Sequence, residues 1–289
     1  MRRTTALASL QKLAAAAVCI AAACAPQQRE VVLATTTSTR DAGLLDSLLP
    51  AFEQQSGYKV KVVSVGTGQA IEMARRGDAE VVLVHAPELE RALVDSGFFV
   101  RRRLVMHDEF LFVGPANDPA RIGEGGGHDA VAALGAIAKA RAPFVSRGDR
   151  SGTQLLELKL WRLLGQTPPP PAPGGWYIEA GQGMAATLQM ADQKRAYTIT
   201  DEPTFLVWKP KLQLERLVAG DSLLLNIYHV MEVPHAGRGP RALADFFVSP
   251  EAQRAIGEFG VSRFGRPLFV PDALSDTTVR PTVRPSDRP

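Results

Sequence analysis

Three short runs carry side chains able to do chemistry together: Thr35-Thr-Thr-Ser-Thr39, Gly66-Thr-Gly68 and Ser146-Arg-Gly-Asp-Arg-Ser-Gly-Thr153. Threonine and serine hydroxyls are neutral donors, and Arg147 adds a planar, permanently charged fork. Apart from Asp149, the runs offer donors rather than acceptors. Each follows an apolar strand-like segment and precedes a helical pattern, so each places hydroxyls at a helix start, where unpaired backbone N–H groups and the positive end of the helix dipole also lie. The ligand this implies is an anion. A single such run is an ordinary N-cap; three in one chain point to a binding site.

The elements that must position these runs alternate along the chain. Residues 31–34 read as a buried strand. Leu44, Leu45, Leu48, Leu49 and Phe52 give a helix that starts at the hydroxyl run and stops at Gly57. Residues 58–65 alternate as a strand, 69–76 form a helix ended by Gly77, 81–84 a strand, 88–96 a helix and 109–113 a strand. A second cycle follows the glycines at 123–127: helix 130–140, strand 143–146, and a helix carrying Leu155, Leu156, Leu160 and Trp161 that ends at a proline run, 167–173. Helix 181–193, strand 195–200, an extended segment 222–233 and a last helix 245–259 complete it. The alternation predicts an α/β architecture with a mainly parallel sheet, whose ligands gather beyond the carboxyl ends of the strands.

At 289 residues with 45% hydrophobic and 22% charged content, the chain has enough apolar mass for a large core and is not a disordered polymer. Arg2 and Arg3 precede an apolar stretch at residues 13–24, the pattern of an export signal and too short for a bilayer span. Removing residues 1–23 takes Arg2, Arg3 and Lys12 away, leaving 30 basic against 30 acidic residues. The formal charge of +3 therefore gives no support to a nucleic-acid role. Small residues before Cys24 favour lipoprotein processing, with Cys24 lipidated, over ordinary cleavage at Ala23-Cys24-Ala25. Both cysteines, Cys19 and Cys24, lie in or at the edge of this leader, so no internal disulfide is expected in the mature chain.

The runs Leu33-Ala-Thr-Thr-Thr-Ser-Thr-Arg-Asp-Ala-Gly-Leu-Leu45, Val65-Gly-Thr-Gly68, Gly77-Asp-Ala-Glu-Val-Val-Leu-Val-His-Ala-Pro-Glu88 and Phe144-Val-Ser-Arg-Gly-Asp-Arg-Ser-Gly-Thr153 resemble those of tungstate-binding proteins of ABC transporters. The resemblance covers about residues 30–270. It implies a type II periplasmic-binding-protein fold: two α/β lobes joined by two crossover segments, with a ligand cleft between them. It further implies lobe 1 at 29–114 plus 223–271 and lobe 2 at 115–222; residues 272–289, polar and Pro-rich without periodicity, read as a disordered tail. The oxyanion ligands carried over are Thr36, Thr37, Ser38, Thr67, Arg147, Ser151 and Thr153. Two positions depart from the family pattern: Glu202 stands where an arginine is usual, and Ile227 where a proline is usual. The implied role is capture of tungstate, or molybdate, for delivery to an ABC permease by a monomeric exported protein without cofactor.

Other readings are weaker. A phosphate- or sulfate-binding protein of the same fold is the nearest alternative, with Asp149 the residue that could accept a proton from monohydrogen phosphate. Otherwise Asp149 caps the following helix or fixes Arg147. An exported hydrolase using Ser38, Ser146 or Ser151 lacks a nucleophile-elbow motif. Gly66-Thr-Gly68 lacks the third glycine of a dinucleotide loop. His85, His107, His128, His229 and His235 show no metal-ligand spacing.

Overall fold

A computed structural model describes residues 29–273. The leader, Cys24 and the tail beyond residue 273 lie outside the described residues. Strand β1 (Arg29–Thr36) buries its apolar run and ends on the first hydroxyls. Two helices follow where one was expected, α1 (Thr37–Asp41) and α2 (Leu44–Ser56). Gly43 separates them with φ 85°, a left-handed turn open to glycine at little cost. The leucines of α2 and Phe52 are buried, as their spacing requires. Then come β2 (Tyr58–Val65), α3 (Thr67–Arg76), β3 (Val81–Val84), α4 (Pro87–Asp95) and β4 (Val100–Pro115).

Beyond β4 lie α5 (Ala130–Ala140), β5 (Phe144–Ser146), α6 (Gly152–Leu163), β6 (Tyr177–Glu179), α7 (Met184–Lys194), β7 (Thr198–Asp201), α8 (Glu202–Trp208) and β8 (Leu214–Val218). Segment 222–233 is not extended throughout: a 3-10 turn at Ser222–Leu224 leads into β9 (Leu225–Glu232). The expected last helix is two, α9 (Arg238–Phe247) and α10 (Pro250–Glu258). Ser249 caps the second through its hydroxyl, which accepts from Ala252 N at 3.2 Å. Helix α11 (Val261–Phe264) and β10 (Val270–Pro271) close the described chain. Asp272 is tied to His107 (2.8 Å) and Ala273 N to Gln253 (2.9 Å), so the first two residues of the expected tail are held in place. Among the described residues no helix is long and apolar enough to cross a membrane.

The strands run in the order β10-β4-β9-β3-β1-β2. β1 is parallel to β2 and β3, and β5 is parallel to β6. The expectation of a mainly parallel sheet is corrected by the rest: β9 is antiparallel to β3 and β4, and β4 is antiparallel to β7, β8 and β10. The cause is topological. β4 pairs with β9 from Val100 to Glu109 and with β7 from Phe110 to Val113, so one strand passes from one lobe into the other. The strands that return to it must run the opposite way.

Each lobe is helix, sheet, helix. In the first, Leu33, Val81 and Leu83 pack with the leucines of α2, while Ala34, Val82 and Val84 pack with Ile71 and Phe99 on the opposite face. In the second, Phe110 and Phe112 join Leu134, Ile137 and Trp161, and Leu111 and Val113 join Met184, Leu188 and Phe205. Alternation along β4 thus feeds both faces of the sheet.

Candidate oxyanion-binding site

The carboxyl ends of β1, β2 and β5 meet where the lobes face each other. On the first lobe, Thr35 Oγ1 donates to Leu83 O (2.8 Å) and is structural. Thr36 Oγ1 shares hydrogen bonds with Ser38 Oγ (3.1 Å) and Thr39 Oγ1 (2.9 Å), which cluster the hydroxyls at the start of α1. Thr67 is the first residue of α3. On the second lobe, Ser151 caps α6, accepting from Gln154 N at 3.4 Å, and Thr153 lies in the first turn.

Arg147 follows β5 and is only 3% exposed. Its Nε donates to Gln182 O (2.8 Å), and its Nη2 donates to both Thr37 Oγ1 (3.3 Å) and Asp149 Oδ2. The other Asp149 oxygen accepts from Ser151 N (3.1 Å). Both oxygens of that carboxylate are therefore engaged, one in holding Arg147 and one in shaping the turn into α6.

All seven expected residues, Thr36, Thr37, Ser38, Thr67, Arg147, Ser151 and Thr153, are buried. The lobes touch around them. Gly68 N donates to Arg150 O (3.3 Å), Ala185 N to Asp41 Oδ2 (3.3 Å), and Thr204 Oγ1 to Ser38 O (3.4 Å). A side chain on Gly66 would meet Asp149 O at 2.8 Å, and one on Gly152 the His85 ring at 2.6 Å. Within this closed arrangement two hydroxyls, Thr67 Oγ1 (0% exposed) and Thr153 Oγ1 (2%), have no hydrogen-bond partner among the described residues. Buried polar atoms are nearly always paired, so two orphans at facing helix starts mark a place for a group that accepts.

The sequence reading missed several contributors. Met184 N, at the start of α7, donates to Thr37 Oγ1 (3.3 Å), so a third long helix presents its N-terminus here beside those of α3 and α6. The signal was Gly181-Gln-Gly183 ahead of an apolar run. Asn226 links the cleft to the crossover, donating to Asp108 Oδ1 (2.8 Å) and Tyr228 Oη (2.9 Å) and accepting from His85 Nδ1 (2.8 Å). Because Asn226 Oδ1 can only accept, the His85 tautomer is fixed with its proton on Nδ1. Burial holds His85 down at about 4, and burial also raises Asp201. The candidate nucleophiles are otherwise engaged: Ser38 with Thr36, Ser146 with the buried Glu157 (2.5 Å), Ser151 as a cap. Among the described residues no group of three or more His, Cys, Asp or Glu is placed to hold a metal ion.

Comparison with known proteins agrees with this geometry. Residues 21–251 match the PBP superfamily domain. The chain is 44% identical over 244 residues to a tungstate-binding protein of Peptoclostridium acidaminophilum, covering 82% of this chain and 84% of that one. A structure of the tungstate ABC transporter from Geobacter sulfurreducens superposes with TM-score 0.69 at 43% identity, covering 80% of this chain and 98% of that one. The tungstate-binding protein of Desulfovibrio alaskensis gives TM-score 0.66 at 39% identity, covering 84% and 99%. These relatives are binding proteins of transport systems rather than enzymes. Two lobes that share one long strand, a cleft lined with buried donors, and relatives of this kind along most of the length place the chain in the PBP superfamily and, within it, in the family of tungstate-binding proteins.

Proposed function

We propose that this chain captures a tetrahedral oxyanion, tungstate or, with less discrimination, molybdate, between its lobes and delivers it to an ABC permease. The ligands are Thr36, Thr37, Ser38, Thr67, Arg147, Ser151 and Thr153. The observation that carries the reading is the pair of orphaned hydroxyls, Thr67 Oγ1 from one lobe and Thr153 Oγ1 from the other. Tungstate near neutral pH is a fully deprotonated dianion, so every oxygen accepts and the site needs only donors. Each neutral hydrogen bond contributes about 0.5–1.5 kcal/mol and each charged one about 1.5–3 kcal/mol, so Arg147 outweighs any single hydroxyl. Asp149 has both oxygens engaged, which disfavours monohydrogen phosphate, a ligand that needs a free acceptor.

The lobes follow as 29–114 plus 223–271 and 115–222, with β4 and the segment entering β9 as the two crossings. The chain acts as an exported monomer tethered through a lipid on Cys24; mass spectrometry finding a mature N-terminus at Ala25 without lipid would sink the tether. Calorimetric titration of the mature chain with tungstate, molybdate, sulfate and phosphate tests the function. Saturable one-to-one binding of tungstate and molybdate with weak response to the other two is expected. Equal response to all four, or none, overturns the reading.

A further inference from the structure

Behind the hydroxyl cluster lie two carboxylates that the oxyanion reading leaves without a task. In the β4–β7 ladder Asp201 stands opposite Phe110, and Asp108 is two residues before Phe110 on the same strand. Side chains alternate along a strand, so the two aspartates share one face of the sheet at the point where β4 passes between the lobes. Each has one oxygen in use: Asp201 Oδ1 accepts from Thr204 N (2.9 Å), and Asp108 Oδ1 accepts from Asn226 Nδ2 (2.8 Å). Each has the other orphaned. Asp108 Oδ2 and Asp201 Oδ2 are buried with no hydrogen-bond partner among the described residues, in side chains 5% and 0% exposed.

The surroundings offer them little positive charge. From β9 come Asn226 and Tyr228, whose hydroxyl also interacts with Asp108, and from beyond β3 the neutral His85 through Asn226. From α8 comes Glu202, whose own partners are Arg216 (3.0 Å) and Arg266 (2.7 Å). Arg147 is the one cation that bears on Asp201, and it is already engaged by Asp149. One guanidinium thus serves two carboxylates, Asp149 and Asp201, while Asp108 is faced by the carboxylates of Asp201 and Glu202. A dianion in the same enclosure adds two more negative charges, and isolated buried charge is too costly to persist.

We infer that Asp108 and Asp201 hold a proton between them in the anion-bound form, so that capture of the dianion takes up a proton from solution. A proton on either Oδ2 converts an orphaned acceptor into a donor and removes one of the repelling charges. Burial, reinforced by repulsion from Asp201, holds the Asp108 carboxyl well above the usual carboxylate range, in keeping with this state. The pair communicates with the site through two short routes: Thr204, whose amide holds Asp201 and whose hydroxyl donates to Ser38 O, and Tyr228, which meets Asn226 and Ser38. The inference rests on the oxyanion reading above.

The test is the pH dependence of tungstate affinity from about pH 7.5 to about pH 9, a window in which His85 is neutral in both open and closed forms. Wild type is expected to bind more weakly as pH rises, by up to about tenfold per pH unit for one linked proton. Its binding enthalpy is also expected to depend on the ionisation heat of the buffer. Asp201→Asn keeps an N-cap acceptor for Thr204 but cannot titrate, and is expected to give a flat profile. Asp108→Asn removes the other half of the pair and is expected to flatten the profile likewise, which keeps the test available if the first variant does not fold. A flat wild-type profile, or a variant with the wild-type slope, overturns the inference. Failure to bind tungstate at any pH overturns the oxyanion reading instead.

Discussion

Arg147 and Thr37 meet across the cleft: the guanidinium donates to the threonine hydroxyl at 3.3 Å, and Met184 N donates to the same oxygen at 3.3 Å. A hydroxyl oxygen has two lone pairs and one proton. Both lone pairs of Thr37 are taken by the second lobe, so its proton is left to point at a ligand. The contact that joins the lobes also orients a donor.

Arg147→Ala removes the proposed charged ligand and one half of this contact. Tungstate Kd is expected to rise about 10- to 150-fold, the equivalent of roughly 1.5–3 kcal/mol. Arg147→Lys should recover only part, because an ammonium keeps the charge and loses the planar fork. Titration of both beside Ser38→Ala checks the assignment; a larger loss from Ser38→Ala refutes Arg147 as the dominant ligand.

Thr67→Val and Thr153→Val separate binding from folding. Each deletes a buried hydroxyl with no hydrogen-bond partner among the described residues, so stability without ligand should change by less than about 1 kcal/mol. Each also deletes a donor to the anion, and affinity should fall roughly 2- to 13-fold. Denaturant melts without ligand, set beside titrations, read both. A variant markedly less stable and equally tight contradicts the placement of that hydroxyl.

Gly66→Ala and Gly152→Ala act as wedges. Neither glycine has positive φ, so alanine suits the backbone, but the new methyl would sit 2.8 Å from Asp149 O or 2.6 Å from His85 across the cleft. With about 1–3 kcal/mol of overpacking confined to the closed form, Kd should rise roughly 5- to 150-fold while the melting temperature without ligand stays near wild type. Unchanged affinity would mean that the lobes need not approach this closely.

His85 sets a low-pH limit. Its pKa is held down at about 4 against a free value near 6.5, chiefly by burial, so the folded chain prefers the neutral ring. Stability from this group is complete above about pH 6.5 and declines as pH falls towards 4, by at most about 1.4 kcal/mol per pH unit. Asp108, Asp201 and Glu157 have the opposite sign, since their raised pKa values favour the folded state as pH falls. The readout is therefore a difference: between about pH 7 and pH 5, His85→Gln should lose less stability than wild type. Parallel curves would exclude His85 as the source.

The donor runs were legible because their pattern is local: an apolar strand, then hydroxyls or glycine, then a helical stripe. Thr36, Thr67 and Arg147 are each found by reading about ten residues. Asp108 and Asp201 were not, since each looks like an ordinary polar residue until β4 brings Asn226 and Phe110 alongside. The start of β4 was hidden by Arg101, Arg102 and Arg103, which suggest a solvated loop. Their charges are met by Glu90, Glu232 and Asp245 from elsewhere in the fold, and that allows three arginines to stand in a strand. The antiparallel returns of β7, β8 and β9 were invisible for the same reason: strand partners distant in sequence leave no periodic trace.

Strand β9 lies between β3 and β4 although the whole second lobe separates it from β4 along the chain. A polypeptide delivered N-terminus first, from a ribosome or through a translocation pore, holds β1, β2 and β3 long before their remaining neighbour exists. Until Leu225–Glu232 emerges, β3 keeps a bare apolar edge, a template for pairing with other chains. The long loop that must close gives the first lobe a slow, late step in its assembly. The second lobe, whose strands follow β4 directly, completes its sheet first, so order of maturation runs opposite to order of synthesis. Holding the chain unfolded until its end is free is the condition under which such a sheet forms without aggregating.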